Sequence, residues 1–503
     1  MTGIGGAKRS AGHRSVAKPD AVFDRDEAWD ALVAFAGGPG PPGPRLGVVS
    51  GRLRQGKTYL LEALTKALGG FLFTADEAVE AESLRRLGER LAQHTGRAEA
   101  VPLRTWAEAV DALLALGAQE PVPVVIDEFP HLVRQSPALP AALHTAFRRL
   151  ADRAEDNRTR LLLSGSSHPV MRRLFRGPSP LKGLVELDLE VRPFGFREAA
   201  RFWGVDDPRL ALRVHAVVGG TPAYRRAYVG DRAPGGPEDF DAWVCEAVLE
   251  PRKPLFHEAA RLVHEETDHW DRALCHSVLE AVALGAATSG EVAGRVSASL
   301  ADVSHALGVL QDCELLTGEA DALRPHLTRL RVTEQLLAFE HAVVRPHRAA
   351  LEAEENSAAG IWAQARPVFE ARVASGQFAE VCRTWVREHT APDTFGSDRV
   401  RVGHGSLPVR DVPDAEVVVR GQGGDGRPGR LLSVGLARWG EVMDLHHLER
   451  LRRLLEVLAE HGEDVGRAVP ACYSGAGFGP ALRTAEAEGA VILVGADRLY
   501  RGG

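Results

Sequence analysis

The sequence predicts an α/β protein that opens on a parallel sheet covered on both faces and continues into helical and mixed α/β regions. Short apolar runs alternate with helix-period segments over roughly the first 190 residues, the pattern of strand–helix–strand crossovers. The spacing then turns helical through residue 265, and strand-like runs return toward the end of the chain. Its 503 residues exceed one ordinary domain, and a prior of roughly 150 residues per domain gives about three.

Residues 1–20 are mildly basic and lack an apolar stretch, so they read as a disordered tail and not as a signal peptide. Residues 21–35 have helical spacing, with Trp29, Leu32 and Val33 on one side. A flexible GGPGPPGP follows at 37–44. The apolar run Leu46–Val49 then feeds GRLRQGKT and the helical YLLEALTKAL, a strand, a glycine-bearing turn and a helix. Phe71–Thr74, Val122–Ile126 and Arg160–Leu163 are the further strands expected of a core spanning 21–190. Residues 191–265 read as helices with short turns. Three short helical stretches and a hairpin near 315–333 outline a winged helix over 266–345. A connector, 346–372, carries the charged AALEAEENSAAG. The last region, 373–503, mixes a helix (377–388), strand-like runs (Glu416–Val419, Leu431–Leu436), an Arg/Leu helix (445–460) and a final strand (Ala490–Val494).

Composition narrows the function classes. A net charge of −7 leaves no strong global field toward nucleic acid or anionic lipid. No apolar run approaches the roughly 18 residues of a membrane span, and a cytoplasmic location is expected. The five cysteines are far apart and form no CxxC pair, against a disulfide framework or a structural zinc site. Lysine occurs only at positions 8, 18, 57, 66, 182 and 253, so chemistry that needs a primary ammonium must lie in the first half.

The sharpest motif is Gly51-Arg52-Leu53-Arg54-Gln55-Gly56-Lys57-Thr58, a match to GxxxxGK[ST]. Glycines let consecutive backbone N–H groups curl around an anion, and the following helix points its positive end at the phosphates. Lys57 is expected to reach the β/γ oxygens of ATP, and Thr58 to offer its hydroxyl to Mg²⁺. Gly51, Arg54, Gln55, Gly56 and Tyr59 complete the expected nucleotide contacts. The run Val122–Glu128 ends in two carboxylates, Asp127 to hold Mg²⁺ and Glu128 to polarise the attacking water. Leu163-Ser164-Gly165-Ser166-Ser167 places hydroxyls where a neighbouring strand could sense the γ-phosphate, with Ser166 the first choice.

These residues, with VVIDEFPHLV, LLLSGSSHPVM, RPFGFREAARFWG and GGTPAY, resemble the archaeal-type ATPase family of the AAA+/STAND class of P-loop NTPases. The likeness spans nearly the whole chain. It implies an ATPase core, a helical lid whose Pro222 touches the nucleotide, a winged helix, and a C-terminal domain resembling PD-(D/E)XK nucleases. Two departures stand out. Where the family carries an arginine after its PLxG motif, this chain has Leu184; Arg172, Arg173 and Arg176 are the nearby alternatives, and slow hydrolysis is expected. In the nuclease-like domain Glu416 offers a first acid, but the second strand has Leu436 at the acid position and Arg438 at the lysine position. Leucine cannot ligate a metal, and arginine stays protonated, so a fold without nuclease activity is expected.

Weaker signals have plainer readings. His264 and His269 superficially resemble HExxH, but five residues turn the second histidine by about 140° around a helix. The expected recognition helix, Leu300–Asp312, has no Lys or Arg, and Asp302, Asp312 and Glu314 would repel a phosphate backbone. A protein partner or self-association through the C-terminal domains is therefore expected ahead of nucleic acid. The whole reads as an ATP-driven switch, with a DNA- or defence-associated regulator or an ATP-gated nuclease as alternatives.

Overall fold

The computed structural model describes residues 16–38, 43–152, 157–166, 168–175, 179–267, 271–353, 357–397, 399–410, 412–423 and 429–502. It divides into two compact units, Met1–Arg192 and Pro193–Gly503. The expected tail falls largely on residues 1–15, outside the described residues, as does part of GGPGPPGP. Residues 16–20 are tied down: Trp29 Nε1 donates to the Val16 carbonyl and Lys18 pairs with Asp26.

The first unit is built on five strands: β1 (Arg45–Ser50), β2 (Phe71–Thr74), β3 (Val122–Asp127), β4 (Thr159–Gly165) and β5 (Val185–Glu190). They lie in the order β2-β3-β4-β1-β5, every pair parallel. Parallel strands need crossovers, and the helices between them cover both faces. Strand alternation sorts the core into two layers. Val48, Val124, Ile126, Leu161 and Leu163 face one cluster with Phe71 and Phe147, while Val49, Val125 and Leu162 face another with Trp29, Leu32 and Leu61. Gly47 lets β1 pack tightly on its neighbour, since a Cβ there would stand 2.7 Å from the Leu162 side chain. The sequence reading missed β5, whose VELDLE alternates polar with apolar as a half-exposed edge strand does.

The second unit starts with helices, among them Phe196–Trp203, Pro208–Val218 and Pro254–Thr267. Helices Arg272–Ala283, Ser289–Val296 and Leu300–Asp312 precede an antiparallel hairpin of β6 (Leu316–Ala320) and β7 (Thr328–Val332). The stretch expected to be a connector is largely helical: Arg345–Glu352 and Ala358–Val368 flank residues 354–356, which lie outside the described residues. Ala358–Val368 continues through a π-helical turn, Phe369–Ala374, into the helix Ser375–Glu388. Phe240, Phe339, Trp362 and Phe369 stack there in one aromatic cluster, which explains why a charged-looking stretch folds.

A second five-stranded sheet closes the chain: β8 (Val400–Gly405), β9 (Ala415–Gly421), β10 (Leu431–Arg438), β11 (Val469–Ser474) and β12 (Ile492–Gly495). Its order is β12-β11-β10-β9-β8, antiparallel through β8-β9-β10 and parallel through β10-β11-β12. Helix Leu445–Glu460 covers one face with Leu448, Leu451, Leu454 and Leu458. Among the described residues no helix is long and apolar enough to cross a membrane.

Candidate phosphate-binding site

The loop Gly51–Gly56 joins β1 to the helix Lys57–Leu68. Its shape depends on backbone conformations that favour glycine. Gly51 has φ +150° and Gly56 φ +89°, and a Cβ on Gly51 would lie 2.3 Å from the Val191 carbonyl oxygen. Arg54, half-buried, takes φ +67° at the turn of the loop. The Gln55 side chain is buried and accepts the Arg52 N–H at 3.1 Å, which braces the loop across its base.

Lys57 is 4% exposed and its ammonium donates to the carbonyls of Gly51 and Arg52, each at 2.9 Å. A charge this deep must be satisfied, and these bonds hold it beneath the curled loop. Thr58, one residue on, donates its hydroxyl to Asp127 Oδ2 at 2.6 Å. Asp127 ends β3 fully buried, and its other oxygen accepts the Glu128 N–H at 3.0 Å. A hydroxyl and a carboxylate so close together form the hard-oxygen donor set that Mg²⁺ takes. The cradle and this pair therefore fit a magnesium–nucleotide group.

Glu128 stands in the left-handed region, φ +52°, as the residue before the helix Phe129–Gln135. Non-glycine residues pay a steric cost there, and such positions cluster at functional sites. Ser166, at the end of β4, donates to Glu128 Oε2 at 2.8 Å. The hydroxyl expected to face the γ-phosphate thus also touches the Glu128 carboxylate.

Arg25, which no motif marks, also reaches the loop. It has φ +65°, its Nη2 donates to the Gln55 carbonyl at 3.3 Å, and burial lowers its pKa to about 10 against the favourable pull of Asp24. Tyr59, 47% exposed, donates its hydroxyl to the Ala21 carbonyl at 3.1 Å. The segment before the first helix is thus tied to the loop through Gln55 and to the following helix through Tyr59. The only sequence signal was the FDRDE run itself.

Pro222 belongs to the second unit, where it leads into the turn Tyr224–Tyr228. Arg172 and Arg173 are exposed on the helix His168–Phe175, and Arg176 lies outside the described residues. Leu184 packs against the core of the first unit. His264 is exposed, and His269 lies outside the described residues.

In the second sheet β9 and β10 run antiparallel with Val417 beside Gly435, so Glu416 and Leu436 stand across from each other one step along. Leu436 is fully buried. Glu416 Oε1 accepts Arg438 Nη1 at 2.8 Å and its Oε2 accepts the Ala437 N–H at 3.2 Å. Both oxygens of Glu416 are thus engaged within the chain, one by the guanidinium and one by a backbone N–H. Glu380 is likewise engaged by Arg383 at 2.8 Å and Arg331 at 3.4 Å; burial pushes its pKa up, but these cations outweigh it and hold the carboxyl below its usual range.

One histidine–carboxylate group among the described residues, Glu441, His446 and His447, brings its ligand atoms within 4.8 Å of one another. His447 Nδ1 accepts the Asp444 N–H at 3.1 Å in a helix cap, so the neutral ring carries its proton on Nε2. Binding a metal there would break the cap.

No protein-family model and no curated protein matches the chain. Among solved structures it is similar to the Walker-type ATPase PABY2304 of Pyrococcus abyssi, at 16% identity and a TM-score of 0.47, covering 66% of this chain and 99% of that one. It is also similar to the ORC2 protein of Aeropyrum pernix in its ADPNP–ADP complexes, at 16% identity and a TM-score of 0.40, covering 73% and 99%. Cdc6p of Pyrobaculum aerophilum follows at 11% identity and a TM-score of 0.33, covering 68% and 98%. Chemistry at the site rests on the chain's own residues: a buried lysine under a glycine loop, and two strand ends that deliver Asp127, Glu128 and Ser166 to it.

Proposed function

We propose that the first unit binds Mg-ATP at Gly51–Thr58 and hydrolyses it slowly, and that the nucleotide state is read out by the rest of the chain. One observation carries this reading: Lys57, Thr58, Asp127, Glu128 and Ser166 converge at the carboxyl ends of β1, β3 and β4, where α/β sheets bind ligands. Backbone N–H groups of the loop and the Lys57 ammonium would hold the phosphates. Thr58 and Asp127 would hold Mg²⁺, which supplies charge neutralisation at the phosphate oxygens. Glu128, steadied by Ser166, would orient the attacking water and take up its proton. Slow turnover follows from Leu184, since its position supplies no cation to the developing charge.

In this reading 191–265 forms a lid with Pro222 near the nucleotide, 266–345 a winged helix, and 373–503 a nuclease-like fold that does not cut. The Arg438–Glu416 pair speaks against the gated nuclease. A cytoplasmic switch with a protein partner is the role these features support best.

Thermal-shift titration with ATP and Mg²⁺ tests the assignment. At 100 times the dissociation constant the ligand should add about 2.7 kcal/mol to its unit. No ATP-dependent rise, or an equal rise in Lys57→Ala, would sink it.

A further inference from the structure

Ser164 stands next to the last residue of β4 and is fully buried. Among the described residues of the first unit it carries the one side-chain hydroxyl that is buried with no hydrogen-bond partner. A hydroxyl can donate once and accept twice, and burying it with none of these bonds made costs stability. Thr159, at the other end of the same strand, shows the ordinary outcome: its hydroxyl is equally buried and donates to the Leu114 carbonyl at 2.7 Å. Buried polar groups are paired so regularly that an orphan marks a bond made in another state of the molecule.

Strand register shows which bond. Leu162 packs on the sheet face that the helix Lys57–Leu68 covers, and alternation puts Ser164 on the same face. On one side its neighbour is Val49 of β1, which is apolar. On the other, Ile126 of β3 lies beside Leu163, so the next pair along is Asp127 and Ser164. Val125 belongs to the same core layer as Leu162, so Asp127 and Ser164 also share a face. Neighbouring strands run about 4.8 Å apart, which brings hydroxyl and carboxylate within reach of each other by rotation about the serine Cα–Cβ bond. Asp127 now accepts the Thr58 hydroxyl at 2.6 Å and the Glu128 N–H at 3.0 Å. A carboxylate offers about four lone-pair sites, so acceptor capacity remains.

We propose that Ser164 is a positioning residue of the Mg-nucleotide site, its hydroxyl donating to the Asp127 carboxylate in the nucleotide-bound state. The inference rests on the Mg-ATP reading of this site. Thr58 and Asp127 are the pair that would turn lone pairs toward Mg²⁺, and an acid so engaged is oriented by the groups hydrogen-bonded behind it. Ser164 is the strand neighbour of Asp127 with a donor to give. Its role is separate from that of Ser166, which meets Glu128.

The test needs no turnover. Full-length wild type, Ser164→Ala and Ser164→Cys are compared by calorimetric melting in EDTA, by ATP titration in EDTA, and by Mg²⁺ titration at saturating ATP. The thiol of Ser164→Cys fills nearly the same space and donates only weakly. Without nucleotide or metal, Ser164→Ala should melt at or above the wild-type temperature, because it deletes an unpaired buried hydroxyl. ATP affinity in EDTA should be unchanged in both variants. At saturating ATP, the Mg²⁺ concentration at half-saturation should rise about tenfold in both, as is usual when a group behind a metal ligand is removed. A lower melting temperature of nucleotide-free Ser164→Ala, weaker ATP binding in EDTA, or the wild-type Mg²⁺ requirement in either variant would overturn the inference. A wild type that binds ATP no better than Lys57→Ala would instead overturn the nucleotide reading and take this inference with it.

Discussion

The end of β3 in the first unit and the ends of β9 and β10 in the second use the same materials to opposite effect. Each sets a carboxylate at the edge of a buried sheet beside a cation. At β3 the cation, Lys57, is held by the backbone carbonyls of the loop, and Asp127 is left with a hydroxyl as its neighbour. At β9 the cation, Arg438, binds the carboxylate itself, and the residue across the sheet from Glu416 is leucine. Glu416 is engaged by a guanidinium of its own sheet, whereas the Asp127 carboxylate meets a hydroxyl. The difference lies in which acceptor each cation finds, and that is a property of the loop geometry around it.

The largest expected effect tests the open side of that contrast. Glu128→Gln should lower ATP turnover by about 100-fold or more while leaving ATP binding intact, because a positioned base typically contributes a factor of that order. Steady-state hydrolysis alongside a binding titration reads both; equal loss of the two would mean that Glu128 shapes the loop and does not serve the water.

Acid stability should separate the two units next. In the second unit, burial lowers the pKa of His215 and His276 to about 4 and of His341 to about 3; nearby arginines add to this at His276, and His276 and Arg345 at His341. Unfolded histidines titrate near 6.5, so the folded state binds fewer protons below that pH. The stabilisation is complete above about pH 6.5 and is lost as pH falls toward 4. In the first unit burial also lowers the pKa of His94, which is exposed. Tryptophan fluorescence and limited proteolysis across pH 7 to 4 should find the second unit opening first; earlier loss of the first unit would contradict this.

Opening the closed side should cost less. Arg438→Ala removes a charged hydrogen bond from a half-buried Glu416, worth about 1–2 kcal/mol after solvent screening. Urea unfolding measures it. The variant should gain no stabilisation from Mg²⁺ or Mn²⁺, since Leu436 supplies no partner acid; a metal-dependent rise would erase the contrast between the two strand ends.

The smallest effect is expected at Ser166. Ser166→Ala removes one neutral-to-charged hydrogen bond to Glu128 and should slow turnover several-fold with unchanged ATP affinity. Ser166→Thr, which keeps the hydroxyl, should restore most of the rate if the serine acts by orienting Glu128.

Much of the sheet around the site was legible from residue pattern. The runs at Leu46, Phe71, Val122 and Arg160 became β1 to β4 because buried parallel strands are nearly continuous apolar runs, which stand out in any window. β5 and β8 escaped notice because edge strands alternate or carry glycine and so look like loops. β11 was missed although it is buried, since Pro470 and Cys472 weaken a strand signature. The helical stretch in the expected connector was hidden by its charged flanks.

By itself the sequence determined which chemistry the first unit can hold. GxxxxGKT calls for a tight loop, since only glycine reaches the φ values at Gly51 and Gly56 without strain, and an apolar strand ending in Asp127-Glu128 delivers acids wherever it packs. It also excluded a lysine from the last half of the chain, and with it one route to nuclease chemistry. Only the tertiary structure decided the pairings: Thr58 with Asp127, Ser166 with Glu128, Arg25 with Gln55 and Arg438 with Glu416. Their partners lie 22 to 69 residues apart. Local propensity carries no information across such separations, and which side chain a charge meets is fixed by the register of the strands that bring it there.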